Sequence, residues 1–316
     1  MPHAHTTRLA PSPTGALHLG NVRTFVVNYL LARREGWRIV MRVEDLDGPR
    51  VKAGAAADML DQLAWLGLEW DGAAVYQSAR SAAYRSALAK LSAGGWAYPC
   101  VCSRRDIELA GGAPHGDDGL GIYPGTCRGR FASAEQAAAT GRPVAWRLEA
   151  PPEEIAFSDR FAGPSRFDLA RTCGDFVIFK SDGLAAYQLA VVVDDAEAGV
   201  DRIVRGDDLL ESAARQIHLR RLLKIDGPVE YVHLPLVVGP DGRRLAKRHG
   251  DTRLAHYRDR GATREKVLGL MGYWCGLFQT RREADMAELL QRFDLGRVRR
   301  EKIVFSGEDD EFLGIS

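Results

Sequence analysis

The stretch 10–21, APSPTGALHLGN, sets two prolines, two glycines and a histidine directly ahead of an apolar helical pattern. A turn between a strand and a helix exposes backbone N–H groups that can hold an anion at the helix start. Gly20 would let a ligand approach the backbone closely, and His18 could give a phosphate a hydrogen bond or a positive charge. The plainer reading is a structural turn capped by Asn21, since the string is neither GxxxxGK[ST] nor GxGxxG. The run EDLD, 44–47, gathers three carboxylates; acids after a strand more commonly cap a helix or face solvent than bind a metal. The basic run RRLAKR, 243–248, contains Lys247, which could stabilise charge developing on phosphate oxygens, although most such loops are simply solvated. Cys100 and Cys102 in CVC, with Cys127 in GIYPGTCRG, place three soft ligands within 28 residues. A structural zinc would need a fourth ligand, for which His115 is the default by general chemistry. Free thiols in a loop are the alternative.

The chain of 316 residues is long enough for two or three domains. Its formal net charge of +1 neither marks nor excludes a nucleic-acid surface, because a basic face can be balanced elsewhere. No window approaches the apolar length of a membrane span. The start, MPHAHTTRLAPSP, lacks the apolar core of a secretion signal. An odd number of cysteines, five, then favours thiols or a metal over a disulfide framework. A cytoplasmic location is expected.

A short strand is expected over 7–10. Val22, Phe25, Val26, Tyr29 and Leu30 then recur at helical spacing, with Gly36 as the C-cap. A strand follows over 37–47, with Ile39, Met41 and Val43 on one face, and a helix over 53–66 ends at Gly67. Strand, turn, helix, strand and helix in this order predict an α/β fold with a parallel sheet. Ligands in such sheets sit beyond the C-terminal ends of the strands, so 10–21 and 44–47 are expected at one crevice. A further helix is expected over 81–93. The segment 99–167, broken by glycine and proline, reads as an insertion with its own small sheet. Asp182-Gly183 is a hairpin-turn candidate, 209–223 a helix and 232–239 a strand. The chain is then mostly helical to 293, with a weaker pattern in its last twenty residues. Cys173 and Cys275 read as core residues.

RLAPSPTGALHLGN resembles the N-terminal signature of the glutamyl- and glutaminyl-tRNA synthetases, with His18-Leu19-Gly20-Asn21 as its form of the HIGH motif. The resemblance implies a Rossmann-type class I catalytic domain that binds ATP at His18, Gly20 and Asn21. It also implies that Arg8, Leu9, Ala10, Pro11 and Ser12 hold glutamate. GRRLAKRHG, 242–250, looks like the KMSKS loop, with Lys247 at the lysine that steadies ATP and acts with His18 in catalysis. Arg244 replaces the first lysine and Ala246 the serine, which keeps the charge and loses a hydroxyl. Glu44 looks like the acid that receives the α-amino group. Tyr187 in LAAYQLAVVVDD and Arg205 in RIVRGDDLLES resemble pocket residues, with Gln188 and Asp208 shaping the site. The implied reaction is attack of glutamate's carboxylate on the α-phosphorus of ATP, followed by transfer of the glutamyl group to an RNA hydroxyl. Mg2+ would accompany the ATP.

The likeness spans roughly 7–275, and 66 residues follow Gly250. That suits a stem-contacting helical piece and leaves little room for an anticodon-binding domain. The spacing Cys-x-Cys, Tyr-x-x-x-Cys is similar to that of the truncated glutamyl-Q tRNA(Asp) synthetases. The resemblance thereby selects Tyr123 over His115, completing a Zn2+ site of Cys100, Cys102, Tyr123 and Cys127. It implies a monomer that attaches glutamate to queuosine at the wobble position of tRNA(Asp). The expected divisions are 1–98 and 168–250 as halves of the catalytic domain, 99–167 as the zinc-bearing insertion and 251–316 as the helical region. Seven Lys/Arg against two Asp in 243–260, and seven against five acids in 281–302, could contact RNA phosphates; a charge-balanced surface is the alternative for the second stretch. Three other functions remain open: a truncated glutamate–tRNA ligase charging the RNA 3′ end, a catalytically silent RNA-binding paralogue, and a nucleotidyltransferase with a small acid acceptor, which would not need Tyr187 with Arg205.

Overall fold

A computed structural model describes residues 4–46, 51–111, 122–243, 245 and 249–314. Strand β1 (Thr6–Leu9) leads through the proline- and glycine-containing turn into α1 (Leu19–Glu35) and β2 (Arg38–Val43). The helix starts three residues before the apolar periodicity because His18, not Asn21, is its N-cap, with Nδ1 accepting from Asn21 N–H at 3.3 Å. It ends at Gly36, whose φ of 70° is the left-handed geometry that glycine adopts without a Cβ penalty. Next come α2 (Ala55–Trp65), β3 (Val75–Tyr76), α3 (Ser81–Ala93), β4 (Ala97–Cys100) and α4 (Arg104–Gly111). After these follow α5 (Ala134–Ala138), β5 (Ala145–Leu148), β6 (Ile155–Asp159), β7 (Gly163–Phe167), α6 (Leu169–Thr172) and β8 (Phe176–Phe179). The second half of the main sheet is built from α7 (Tyr187–Glu197), β9 (Arg202–Gly206), α8 (Leu210–Leu222) and β10 (Glu230–Leu234). The chain finishes with β11 (Val237–Val238), α9 (Leu254–Asp259), α10 (Arg264–Trp274), α11 (Met286–Arg292), β12 (Ile303–Val304) and α12 (Gly307–Leu313).

The main sheet has the order β3-β2-β1-β9-β10-β6-β7, parallel throughout except for β6 with β7. The chain runs from β1 outward to β2 on one side and returns to β9 on the other. This makes the gap between β1 and β9 a topological switch point, where a parallel sheet opens a crevice. Asn28, buried in α1, pins the first strand: it accepts from Thr7 Oγ1 at 3.0 Å and donates to Arg8 O at 2.9 Å.

The sheet of the 99–167 segment is not self-contained. β4, β5 and β8 form an antiparallel trio, so one strand comes from beyond 167, while β6 and β7 leave the segment to join the main sheet. The turn at 180–184 does form, with Lys180 N–H to Leu184 O at 2.7 Å.

The C-terminal helices do not stand apart. Leu254, Tyr257, Leu268, Met271, Trp274 and Leu313 share one apolar core with Val22, Val26 and Leu30 of α1, and Cys275 is fully buried in it. The weakly patterned tail contributes β12, which pairs in parallel with β11, and α12, which opens with a capping box between Ser306 and Asp309. A two-residue strand whose partner lies some sixty residues away carries no readable period. Among the described residues, no helix is long and apolar enough to cross a membrane.

Candidate active site

A cavity of about 290 Å3 opens at the C-terminal ends of β1, β9 and β10, between the start of α1 and the start of α7. Arg8 and Ala10 line it from the first strand, and His18, Gly20 and Asn21 from the turn and the first helical residues. Glu44 enters just after β2, Tyr187 from the first residue of α7, and Arg205 from β9. Leu9 points the other way, into the core, because successive strand side chains alternate between faces. Pro11 and Ser12 do not line the cavity; Pro11 O accepts from Glu44 N–H at 2.9 Å and Ser12 Oγ donates to Glu44 O at 3.1 Å. They therefore fix where Glu44 stands. A wider cleft of about 500 Å3 lies elsewhere, and its arginines are engaged: Arg160 by Glu35 and Glu230, Arg300 by Phe161 O. Its size does not make it the better candidate.

Gly20 permits a close approach, since a Cβ there would meet the His18 ring at 3.1 Å and Val237 Cβ at 3.4 Å, tighter than an ordinary contact. The ring folds over the first turn of α1, and with Nδ1 accepting, a neutral imidazole carries its proton on Nε2. Lys247 lies outside the described residues, as do Arg244, Ala246 and His115. The described flanks of Lys247 are tied to the site: Leu245 N–H donates to Val237 O at 3.2 Å, and Leu19 N–H to Thr252 O at 3.0 Å. Val237 itself lines the cavity.

Three buried arginines dominate the electrostatics. Arg8 donates to Val204 O at 3.2 Å and lies 3.6 Å from Asp195; burial pulls its pKa down and Asp195 opposes that. Arg42 bonds Glu44 Oε1 at 3.0 Å and pairs with Asp195. Burial works against its charge, but Asp195, Glu44 and Asp194 together raise its pKa. Glu44 is pushed above the usual carboxylate range by burial, against the pull of Arg42. Burial also raises Tyr187, which keeps its phenol as an O–H donor. Arg205 donates to Gln216 Oε1 at 2.9 Å and to His233 Nε2 at 3.0 Å, both uncharged acceptors. The acidic run splits. Glu44 faces the cavity, whereas Asp45 accepts from Ser78 N–H and Oγ at 2.8 and 2.6 Å and serves as a local cap; Asp47 lies outside the described residues.

Arg42, Asp195, Gln216 and His233 escaped the sequence reading, though they hold the cavity's charges in place. One signal was available: AVVVDDA puts two acids inside an apolar helical run, and buried carboxylates demand partners. Asp194 accepts from Gln77, Arg80 and Tyr84 as well.

Cys100, Cys102 and Cys127 form a second cluster, with all three sulfurs within 4.8 Å of one another. Tyr123 Oη lies 3.4 Å from Cys100 Sγ and 3.7 Å from Cys102 Sγ. Ligands around a tetrahedral zinc stand about 3.5–4 Å apart, so the three cysteines can hold a metal ion. The guanidinium of Arg147 stacks 3.8 Å from the Tyr123 ring centre and donates to Cys100 Sγ at 3.4 Å, placing a cation beside the thiols.

The basic stretch 281–302 is largely neutralised. Arg281 pairs with Glu308 and Asp309, Arg282 and Arg292 share Glu288, and Arg297 faces Asp294. In the stretch 243–260, Arg253 pairs with Asp251 and Arg258 with Asp61.

Residues 5–305 match the family described as tRNA synthetases class I (E and Q), catalytic domain. A glutamyl-Q tRNA(Asp) synthetase of Symbiobacterium thermophilum is 46% identical over 312 residues, covering 95% of this chain and 96% of the relative. One from Geobacter sulfurreducens is 50% identical over 264 residues, covering 84% and 81%. Among solved structures, a glutamate–tRNA ligase of Elizabethkingia meningosepticum, crystallised with its amino acid, is similar with a TM-score of 0.80 at 26% identity. That likeness covers 98% of this chain and 68% of the other.

Proposed function

Since the chain belongs to the glutamyl-Q tRNA(Asp) synthetase family, within the class I (E and Q) tRNA synthetases, we propose that it activates L-glutamate with ATP and transfers the glutamyl group to queuosine at the wobble position of tRNA(Asp). The observation that carries this reading is the charge content of one cavity. Glutamate brings one ammonium and two carboxylates; Glu44 answers the first, Arg8 and Arg205 the others, and Tyr187 adds a hydrogen bond. ATP lies against the turn that opens α1, where His18, Gly20 and Asn21 meet its phosphates and Lys247 supplies the positive charge. The protein's work is orientation and neutralisation of phosphate charge. One carboxylate oxygen attacks the α-phosphorus, pyrophosphate leaves with the electrons of the broken P–O bond, and a hydroxyl of the RNA then displaces AMP. Mg2+ enters with ATP. The protein acts as a monomer in the cytoplasm, where its thiols stay reduced.

Arg8, Arg42 and Glu44 are braced by Asp195 and by one another, a frame that activation without RNA would use. Glutamate-dependent exchange of pyrophosphate into ATP is therefore expected with protein, ATP and glutamate alone. No exchange under any condition would end this reading. Labelled glutamate supplied with tRNA(Asp), with and without queuosine, then identifies the acceptor; label on the 3′ end would mark an ordinary glutamate–tRNA ligase.

Cys100, Cys102, Tyr123 and Cys127 would hold one structural Zn2+, whose role is to order the 100–127 loop. Purified protein is expected to carry about one zinc per chain, measured by mass spectrometry, and Cys127→Ser to lose it. Unchanged metal content in the variant would remove the site.

A further inference from the structure

Arg205 and His233 are register partners on the parallel strands β9 and β10, so their side chains stand together on one face of the sheet. His233 is completely buried, and its Nδ1 lies 2.6 Å from Asp159 Oδ2. Asp159 cannot rotate, because its Oδ1 accepts from the N–H groups of Phe161, Ala162 and His233 at 2.9, 2.7 and 3.2 Å. The carboxylate therefore holds the imidazole proton on Nδ1 and leaves Nε2 as a lone-pair acceptor. Arg205 Nε–H donates to that lone pair at 3.0 Å. Burial lowers the His233 pKa in spite of Asp159, which agrees with a neutral ring.

The other arm of Arg205 is fixed by an amide chain. Nη1 donates to Gln216, whose own Nε2 donates to Gln188 at 3.0 Å, and Gln188 donates to Ser212 Oγ at 2.9 Å. Nη2 is buried with no hydrogen-bond partner in the protein, on a residue that lines the cavity. The contrast with its neighbours is electrostatic. Arg8 faces Asp195, and Arg42 faces Asp195, Glu44 and Asp194, whereas both hydrogen-bond partners of Arg205 are neutral. The imidazole keeps Asp159 one ring away, so the guanidinium reaches the cavity with neutral hydrogen-bond partners and one donor unspent.

We propose that His233 is a positioning residue: locked by Asp159, it aims Arg205 at the substrate's carboxylate and leaves that arginine's charge available, which sets the preference for a carboxylate over an amide side chain. This rests on the reading of Arg205 as a glutamate-binding residue. A carboxylate at 233 would cancel the charge, and a protonated imidazole would repel the guanidinium; a neutral acceptor of fixed tautomer does neither.

The test is steady-state pyrophosphate exchange with the full chain, varying glutamate, glutamine and ATP separately, on wild type, His233→Asn, His233→Gln and Asp159→Asn. Asparagine can keep a donor toward Asp159 but loses the acceptor for Arg205; glutamine can place its carbonyl oxygen near the Nε2 position. Asp159→Asn keeps the shape and frees the wrong tautomer. His233→Asn and Asp159→Asn are expected to raise the glutamate KM by about tenfold or more, the size of one lost hydrogen bond to a charged group. The ATP KM should stay unchanged and the preference for glutamate over glutamine should narrow. His233→Gln should recover most of the loss. If His233→Asn fails to fold, Asp159→Asn carries the test. A wild type without glutamate-dependent exchange would sink the parent reading. An active wild type whose glutamate KM is unmoved in the folded variants, or ATP and glutamate KM values that rise together, would overturn the role of His233 alone.

Discussion

Arg205→Ala is expected to lower kcat/KM for glutamate in pyrophosphate exchange by about 10²–10³-fold, with the ATP KM little changed. The size follows from where the guanidinium sits. It is only 4% exposed, so its charge acts on a ligand with little screening by water. Removing it takes away a cavity arginine whose hydrogen-bond partners are both neutral and strands two acceptors, His233 Nε2 and Gln216 Oε1. Truncating one member of a buried charge pair costs about 2–5 kcal/mol, which spans the stated range at about 1.4 kcal/mol per tenfold. Arg205→Lys should recover only part of the activity, because an ammonium cannot reproduce the planar fork that serves His233, Gln216 and the ligand together. Exchange kinetics over a glutamate titration decide the matter; an unchanged glutamate KM, or an equal rise in the ATP KM, would contradict the role.

The second large effect belongs to a rate. Lys247→Ala is expected to reduce kcat for exchange by about 10²–10³-fold, as when a single preorganised donor to a developing oxyanion is removed. The glutamate KM should move by less than about threefold, because the charges that answer glutamate lie on other strands. The flanks of Lys247 are anchored at the site: Leu245 is bonded to Val237 in the cavity wall, and Thr252 and Leu254 are bonded to Leu19 and Leu17 on either side of His18. A loop whose described flanks are tied beside the helix start is suited to serve phosphates there. Single-turnover adenylate formation separates the two quantities, and an equal loss in glutamate affinity would refute the assignment.

The sequence made the first β-α-β unit readable because the apolar period changes from strand to helix and back within forty residues. Arg8, Glu44, Tyr187 and Arg205 were reachable only through resemblance. Taken singly, a strand arginine or a helix-start tyrosine says nothing about a ligand, and only the sheet order brings these four to one cavity. Arg42 and His233 were invisible for a related reason: each is one residue in an otherwise ordinary strand, and its importance comes from a partner more than seventy positions away. The cysteine cluster was legible from spacing. The extent of the small sheet was not, because the pairing of β5 with β8 leaves no local mark on either segment. The start of α1 was misplaced because capping by a histidine side chain overrides apolar periodicity at a helix end.

Strand β11, which forms part of the cavity wall through Val237, has β12 as its only sheet neighbour among the described residues. A chain leaving the ribosome can assemble β1, β2 and β9, with Arg8, Glu44 and Arg205 on or just beyond them, well before that neighbour exists. The pairing of β11 must wait until Val304 has emerged. A chain that ends before β12, or is cut between α11 and β12, is therefore expected to leave that edge of the cavity wall without its partner strand.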